Sequence, residues 1–136
     1  MMGGSRRGDG GAMPIYPTGS WVNPGTRPDG SAVAGAGRIR IRPGDRFDRH
    51  HHDGEELWHI SAGAALIEIE GERCRVNAGD IVLFPAGVPH DIVAVSEELV
   101  GFFTELQTPG GATGHQHSDP ADAEGHPVAA LAPLED

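Results

Sequence analysis

The residues most able to perform chemistry are concentrated in the run RHHHDGEE at positions 49–56. Side chains alternate between the two faces of a β-strand, so a strand over residues 47–52 would place His50 and His52 on one face, about 7 Å apart. Two imidazoles at that spacing can bind one metal ion, and Glu56 follows a tight turn that can return its carboxylate to their side. The run therefore predicts three ligands of a metal site.

A further ligand must come from a separate part of the chain. His90 follows the rigid turn at residues 85–89, and it is the other histidine of the folded core apart from His59. His51 and His59 are expected on the faces opposite the ligands. Three neutral imidazoles and one carboxylate suit Fe, Mn, Ni, Zn or Cu and do not select among these metals.

Two more side chains are candidates for a substrate pocket. If residues 56–62 form a strand, Trp58 shares a face with Glu56 and lines the pocket, although a plain core position fits the pattern equally well. Arg40 belongs to a set of arginines that alternates with isoleucines, and an arginine facing the cavity could bind a substrate carboxylate through two hydrogen bonds. A solvent-exposed edge is the alternative for Arg40.

The elements that must position these residues are β-strands, because the apolar pattern of the central chain has period two. Residues 66–76 predict a hairpin with Gly71-Glu72 as its two-residue type II′ loop. In that register Ile69 lies opposite Cys74 on the dry side, which makes Cys74 a small core residue. Further strands are predicted at residues 80–84, 90–95 and 99–106. Short strands at such spacing indicate an antiparallel sandwich or barrel.

The composition favours one folded domain with loose ends. The chain has 136 residues, of which 21 are glycine and 11 are proline, and this disfavours a helical bundle. Residues 1–14 and 108–136 are rich in Gly, Ala, Pro and Asp and have few large apolar side chains. We therefore expect a flexible leader, a β-barrel domain over residues 15–107 and a flexible acidic tail, with the His115 and His117 pair disordered in that tail.

The charge and hydropathy of the chain exclude several partners and functions. The net charge is −10 and every basic residue is arginine, which excludes an essential lysine and disfavours binding to nucleic acid. No apolar run approaches the roughly 20 residues that span a membrane, and the leader lacks the apolar region of a secretory signal. A single cysteine excludes an internal disulfide. We expect a cytoplasmic protein with no membrane or nucleic-acid partner.

Two motifs make the chain resemble a single-domain cupin. The first motif consists of Gly44, His50, His52, Glu56 and Gly63, and the second of Gly79, Pro85, Gly87 and His90. The second motif commonly ends in asparagine, where this chain has Ala94. The resemblance implies an all-β double-stranded β-helix, or jelly-roll barrel, that often forms a homodimer. It also implies one divalent transition metal held by His50, His52, Glu56 and His90.

The reaction remains open among several classes. Four ligands leave up to two positions of a six-coordinate metal for a substrate or for oxygen. Glu56 is expected to act in catalysis as well as to bind the metal. Because no general base can be named beyond the ligands, the sequence favours an iron or manganese oxygenase of the dioxygenase type, with iron as first choice and a small organic substrate. The alternatives are a metal-dependent lyase, isomerase or polyketide-cyclase-like enzyme, and a non-catalytic cupin that binds a metal or a small ligand.

Overall fold

The computed structural model describes residues 14–112 and 114–132, which form two four-stranded β-sheets packed face to face. The strands are β1 (Val33–Ile41), β2 (Arg46–Phe47), β3 (Glu56–Ala62), β4 (Ala64–Ile69), β5 (Glu72–Asn77), β6 (Ile81–Phe84), β7 (His90–Val95), β8 (Leu99–Leu106), β9 (His126–Pro127) and β10 (Ala129–Ala130). One sheet has the order β1-β8-β3-β6 and the other the order β10-β7-β4-β5, while β2 pairs with β9. The all-β jelly roll predicted from the sequence is confirmed, as a sandwich of two sheets.

Helical structure is confined, within the described residues, to a short 3-10 turn at Pro120–Glu124. Accordingly, no helix in this part of the chain has the length and apolar character needed to cross a membrane.

The hydrophobic core lies between the two sheets and follows from strand alternation. In β3 the side chains of Glu56, Trp58 and Ile60 are buried, whereas those of Leu57 and His59 are exposed. This inward row packs against residues of the opposite sheet, in particular the fully buried Ile67 of β4 and Ile92 of β7. Because alternation places Glu56 in the same row as Trp58 and Ile60, the strand that builds the core also carries a carboxylate into the interior.

The β4–β5 hairpin turns one residue earlier than the sequence predicts. Its loop is Glu70-Gly71, with φ values of 52° and 83° at the two central residues, so the turn is of the type I′ class. Cys74 consequently pairs with Ile67 rather than with Ile69. The prediction that Cys74 is a core residue is wrong, because β5 is an edge strand and leaves Cys74 exposed.

The C-terminal segment also differs from the expected mobile tail, over the residues that the structure describes. Val128 is only 2% exposed and joins the core. Two backbone hydrogen bonds fix Val128. The Val128 N–H donates to the Asp45 carbonyl, and the Gly44 N–H donates to the Val128 carbonyl, both at 2.8 Å. The amino-acid composition underestimates how ordered this segment is, because one buried apolar side chain and backbone pairing at the sheet edges are enough to order it. The leader expected over residues 1–14 lies, except for Pro14, outside the described residues.

Candidate metal centre

Four buried side chains from separate parts of the chain converge between the two sheets. They are His50 and His52 from the loop before β3, Glu56 from the start of β3 and His90 from the start of β7. Each offers one nitrogen or oxygen atom, and these atoms all lie within 4.8 Å of one another. The structure therefore brings together all four residues that the sequence predicts as metal ligands.

The loop that carries His50 and His52 is only partly strand-like. β2 ends at Phe47, and beyond it His50 and His51 form isolated bridges instead of the continuous strand predicted for residues 47–52. His50 N–H donates to the His90 carbonyl at 3.1 Å, and His90 N–H donates back to the His50 carbonyl at 2.8 Å. This exchange fixes two of the four residues beside each other.

A glycine between the ligands lets the loop turn closely against β8. Gly54 is buried, and a Cβ atom at this position would overlap the Leu106 carbonyl. The close approach is held by the Leu106 N–H, which donates to the Glu55 carbonyl at 2.9 Å. Only glycine permits this approach without displacing the backbone, and the turn brings Glu56 back toward the histidines.

The donor atoms face each other without hydrogen-bond partners. Glu56 Oε1 is 3.3 Å from His52 Nε2 and 3.2 Å from His90 Nε2. All three atoms are buried and none makes a hydrogen bond, although buried polar atoms are normally paired. Two ligands of one ion lie about 3.0–3.4 Å apart when each metal–ligand bond is about 2.1 Å long. The residues present thus fit a divalent metal ion.

Burial and mutual contacts set the protonation states of the cluster. Burial, together with the neighbouring His90, lowers the pKa of His50 to about 3, so this imidazole is neutral. Burial opposes ionisation of Glu56, but contacts with His52 and His90 outweigh it and lower the pKa to about 2. Burial also disfavours a charged His52, yet the contacts with Glu105 and Glu56 raise its pKa to about 10. At neutral pH His50 and Glu56 are ready to bind a cation, whereas His52 first has to lose a proton.

Glu105 lies behind His52 and escaped the sequence analysis. Its Oε1 atom is 2.9 Å from His52 Nδ1, and its side chain is buried on β8. A carboxylate at this position keeps the proton on Nδ1 and leaves Nε2 facing Glu56. One signal in the sequence could have indicated Glu105, because it lies on the inward row of a predicted strand. Burying an acidic side chain there costs free energy unless the side chain has a partner.

His115 is a second residue that sequence reasoning did not place at the site. Its ring stacks on that of His50, with ring centroids 3.6 Å apart and planes inclined by 7°. Asp48 Oδ2 accepts hydrogen bonds from His115 Nδ1 at 2.8 Å and from His117 Nε2 at 2.7 Å. The ligand-like spacing of the two histidines was visible in the sequence, but their partner on a distant loop was not.

A cavity of about 400 Å³ opens beside three of the four convergent side chains, namely His50, His52 and Glu56. Its apolar walls come from Trp21, Ile39, Ile41, Phe47, Trp58 and Phe103, and its polar groups include Glu105 and His115. Trp58 is one of these wall residues, and it also packs in the core against Phe84, with ring centroids 4.7 Å apart. Both readings of Trp58 therefore apply to the same side chain.

Arg40 does not lie among the residues that line this cavity. Ile39 and Ile41 face inward, so alternation directs Arg40 to the outer face of β1. There its side chain is 63% exposed, with Nε 2.9 Å from Glu98 Oε2. The prediction of Arg40 as a pocket residue is wrong, and the alternative of an exposed edge describes its position.

Comparison with known proteins gives relatives of several kinds. An uncharacterized protein, y4oW of Sinorhizobium fredii, is 27% identical over 118 residues, which cover 76% of this chain and 51% of that protein. Oxalate decarboxylase OxdC of Bacillus subtilis is 34% identical over 64 residues, or 43% of this chain and 17% of that protein. The chain thus spans about half the length of the first relative and a smaller part of the second.

Solved structures and a family model agree with the observed fold. The crystal structure of DMSP lyase DddQ from Ruegeria pomeroyi superposes with a TM-score of 0.55 at 25% identity, covering 65% of this chain and 44% of that one. Residues 37–106 match the family model described as a cupin domain. That match takes in more than half of the chain, including both halves of the His and Glu cluster, and so the protein belongs to the cupin domain family.

Proposed function

We propose that the protein is a metal-dependent enzyme acting on a small organic molecule with an apolar body. The observation that carries the proposal is the convergence of three imidazoles and one carboxylate, with unpartnered donor atoms, beside an apolar cavity of about 400 Å³. The ion would be held by His50, His52, Glu56 and His90. When bound, it would supply a Lewis acid with free positions for substrate.

The chain's own residues would bind and orient the substrate. Aromatic walls, Phe47, Trp58 and Phe103 among them, exclude water and suit an apolar body. The polar groups of the cavity are gathered at the His and Glu cluster, and no arginine of the described residues lines it. A substrate would therefore enter with its polar end toward the cluster. A catalytic role for Glu56, a homodimer and a cytoplasmic location stay predictions.

The cavity supports a lyase-type reaction over an oxygenase. The sequence favoured oxygenase chemistry because no proton-transferring group could be named beyond the ligands. Glu105 and His115 are two such groups, and both line the cavity. Two of the relatives are named as a decarboxylase and a lyase. We therefore propose cleavage of a bond adjacent to a carboxylate or carbonyl as the first candidate.

A dioxygenase remains the second candidate, because three histidines and one carboxylate are also compatible with Fe(II). The two candidates differ in their need for oxygen. Protein loaded separately with Fe(II), Mn(II), Ni(II), Zn(II) and Cu(II) would be incubated with a panel of small acids, thiols and phenols, with and without air. We expect product formation to persist without oxygen, as followed by mass spectrometry.

The alternative outcomes of this experiment are distinct. Oxygen uptake in proportion to product, with loss of turnover under anaerobic conditions, would favour the dioxygenase. Metal-loaded protein that binds panel members but converts none of them would favour the non-catalytic cupin. Protein that takes up none of the five ions would contradict the metal centre itself.

Metal binding should release about one proton at neutral pH. His52 has a pKa of about 10 in the metal-free protein and must be neutral to bind through Nε2. Between neutral pH and that pKa, each unit of pH increase should therefore raise the apparent affinity about tenfold. Calorimetric titrations with Zn(II) in buffers of different ionisation enthalpy measure the released proton directly. Binding without proton release would show that His52 is already neutral.

A further inference from the structure

Residues 114–117, here called the strap, lie across the loop that carries two of the proposed ligands. His51 N–H donates to the Gln116 carbonyl and Gln116 N–H donates to the His51 carbonyl, both at 3.0 Å. The Gln116 side chain also donates to Asp53 Oδ1. The strap is thus held in register with the ligand-bearing loop by backbone and side-chain hydrogen bonds.

The strap contacts two of the three imidazoles of the cluster. The His115 ring lies parallel to the ring of His50, with centroids 3.6 Å apart. The Gly114 carbonyl is 3.1 Å from His52 Nδ1, the nitrogen that faces away from Glu56. Neither contact could be assigned from the two cupin motifs, because the strap lies outside the residues that match the family model.

Asp48 holds both rings of the stacked pair. Its backbone carbonyl accepts from His50 Nδ1, which leaves Nε2 as the nitrogen able to bind a metal. Its carboxylate accepts from His115 Nδ1 at 2.8 Å. A single hydrogen bond at Nδ1 fixes one point of the His50 ring, but rotation about the terminal torsion of a histidine is broad. The parallel ring of His115 restricts that rotation by occupying one face.

We propose that His115 is a positioning residue of the metal centre, and that its ring holds the His50 imidazole in the plane in which Nε2 meets the other donor atoms. This inference rests on the proposed function, since it concerns the same four ligands. It adds a residue from the C-terminal segment to a set of four ligands that come from the two cupin motifs. The His115 side chain is 49% exposed, so the fold does not depend on burying it.

The test uses Co(II) alone as the probe and three variants of the full chain. His115→Ala removes both the stack and the bond to Asp48, whereas His115→Phe keeps an aromatic ring but cannot bond to Asp48. His117→Ala is the matched control, because it removes the other bond to Asp48 at 2.7 Å. Affinity is measured by competition with a chelator, and the visible ligand-field spectrum of bound Co(II) reports the geometry of the ligands. Circular dichroism confirms that each variant is folded.

We expect His115→Ala to bind Co(II) about 10-fold more weakly, with an altered spectrum, as is typical when a group that orients a ligand is removed. His115→Phe and His117→Ala should stay within about threefold of the parent. Parental affinity and spectrum in His115→Ala would overturn the inference. So would a loss in His115→Phe as large as in His115→Ala, because His115 would then act through its nitrogen atoms. A parent chain that takes up no Co(II) would instead overturn the proposed metal centre.

Discussion

Glu56→Gln should lower the affinity for a divalent transition metal about a hundredfold, or about 2.7 kcal/mol. Glu56 supplies the only carboxylate of the four-residue cluster, and its Oε1 atom lies 3.3 Å and 3.2 Å from the facing nitrogens of His52 and His90. Glutamine preserves the size of the side chain but removes the negative charge that offsets the charge of the ion. Metal content after dialysis and competition against a chelator measure the loss, and far-UV circular dichroism should show that the fold survives.

His59→Gln provides the control for this variant. His59 lies on the same strand as Glu56 but on its exposed face, so its imidazole points away from the cluster. The metal content of His59→Gln should equal that of the parent. Unchanged metal content in Glu56→Gln would refute the assignment of Glu56 as a ligand. A large loss in His59→Gln would show that the ion is bound by a different set of histidines.

The strands and the group of His50, His52 and Glu56 could be predicted because local signals indicate them, whereas the choice of His90 came from the resemblance to the cupin motifs. β7 and β8 have the bounds that the period-two pattern gives, namely residues 90–95 and 99–106. The spacing of His50 and His52 places both on one side even though the strand between them is incomplete. Alternation needs only an extended backbone, not a complete ladder of hydrogen bonds.

The hairpin register could not be predicted, because the local sequence offers two loops that satisfy the same turn preference. Gly71-Glu72 and Glu70-Gly71 are both acceptable two-residue loops that place a glycine at a central position. The structure adopts the second loop, in which β4 also pairs with β7 and sets the fully buried Ile67 beside Ile92. Cys74 is exposed because β5 lies at the edge of its sheet. The sequence of β5 alone does not indicate that edge position.

The remaining site residues escaped prediction because they approach the cluster only in the folded chain. Glu105 reaches His52 from β8, the strand that pairs with β3, and His115 reaches His50 from a segment whose composition indicated disorder. Trp21 enters the cavity wall from the segment before β1. Each of these contacts joins positions more than forty residues apart or lies outside the strand pattern, so neither spacing nor periodicity could indicate it.

Gly63→Ala should destabilise the fold by about 3 kcal/mol and lower the melting temperature by about 10 °C. Gly63 closes the first cupin motif at the point where the chain passes from β3 into β4, and therefore from one sheet to the other. Its φ of +82° favours glycine, and a Cβ atom there would overlap the Glu98 carbonyl and lie 2.8 Å from Ser96 Oγ. The cost thus combines a left-handed backbone with a clash against the β7–β8 connection. Thermal and urea unfolding of the metal-free protein measure it.

Gly71→Ala separates the two contributions, because Gly71 has nearly the same φ, +83°, but nothing within 4 Å of an added Cβ atom. Only the backbone cost applies there, so we expect a loss of about 1 kcal/mol. The difference between the two variants is the cost of the clash at Gly63. If both variants lost the same stability, the chain around Glu98 would have moved aside freely, and the glycine of the motif would be required for its backbone conformation alone. A larger loss at Gly63 would mean that this glycine is also needed for the close contact between the β3–β4 and β7–β8 connections, which join the strands that carry Glu56 and His90 to their neighbours.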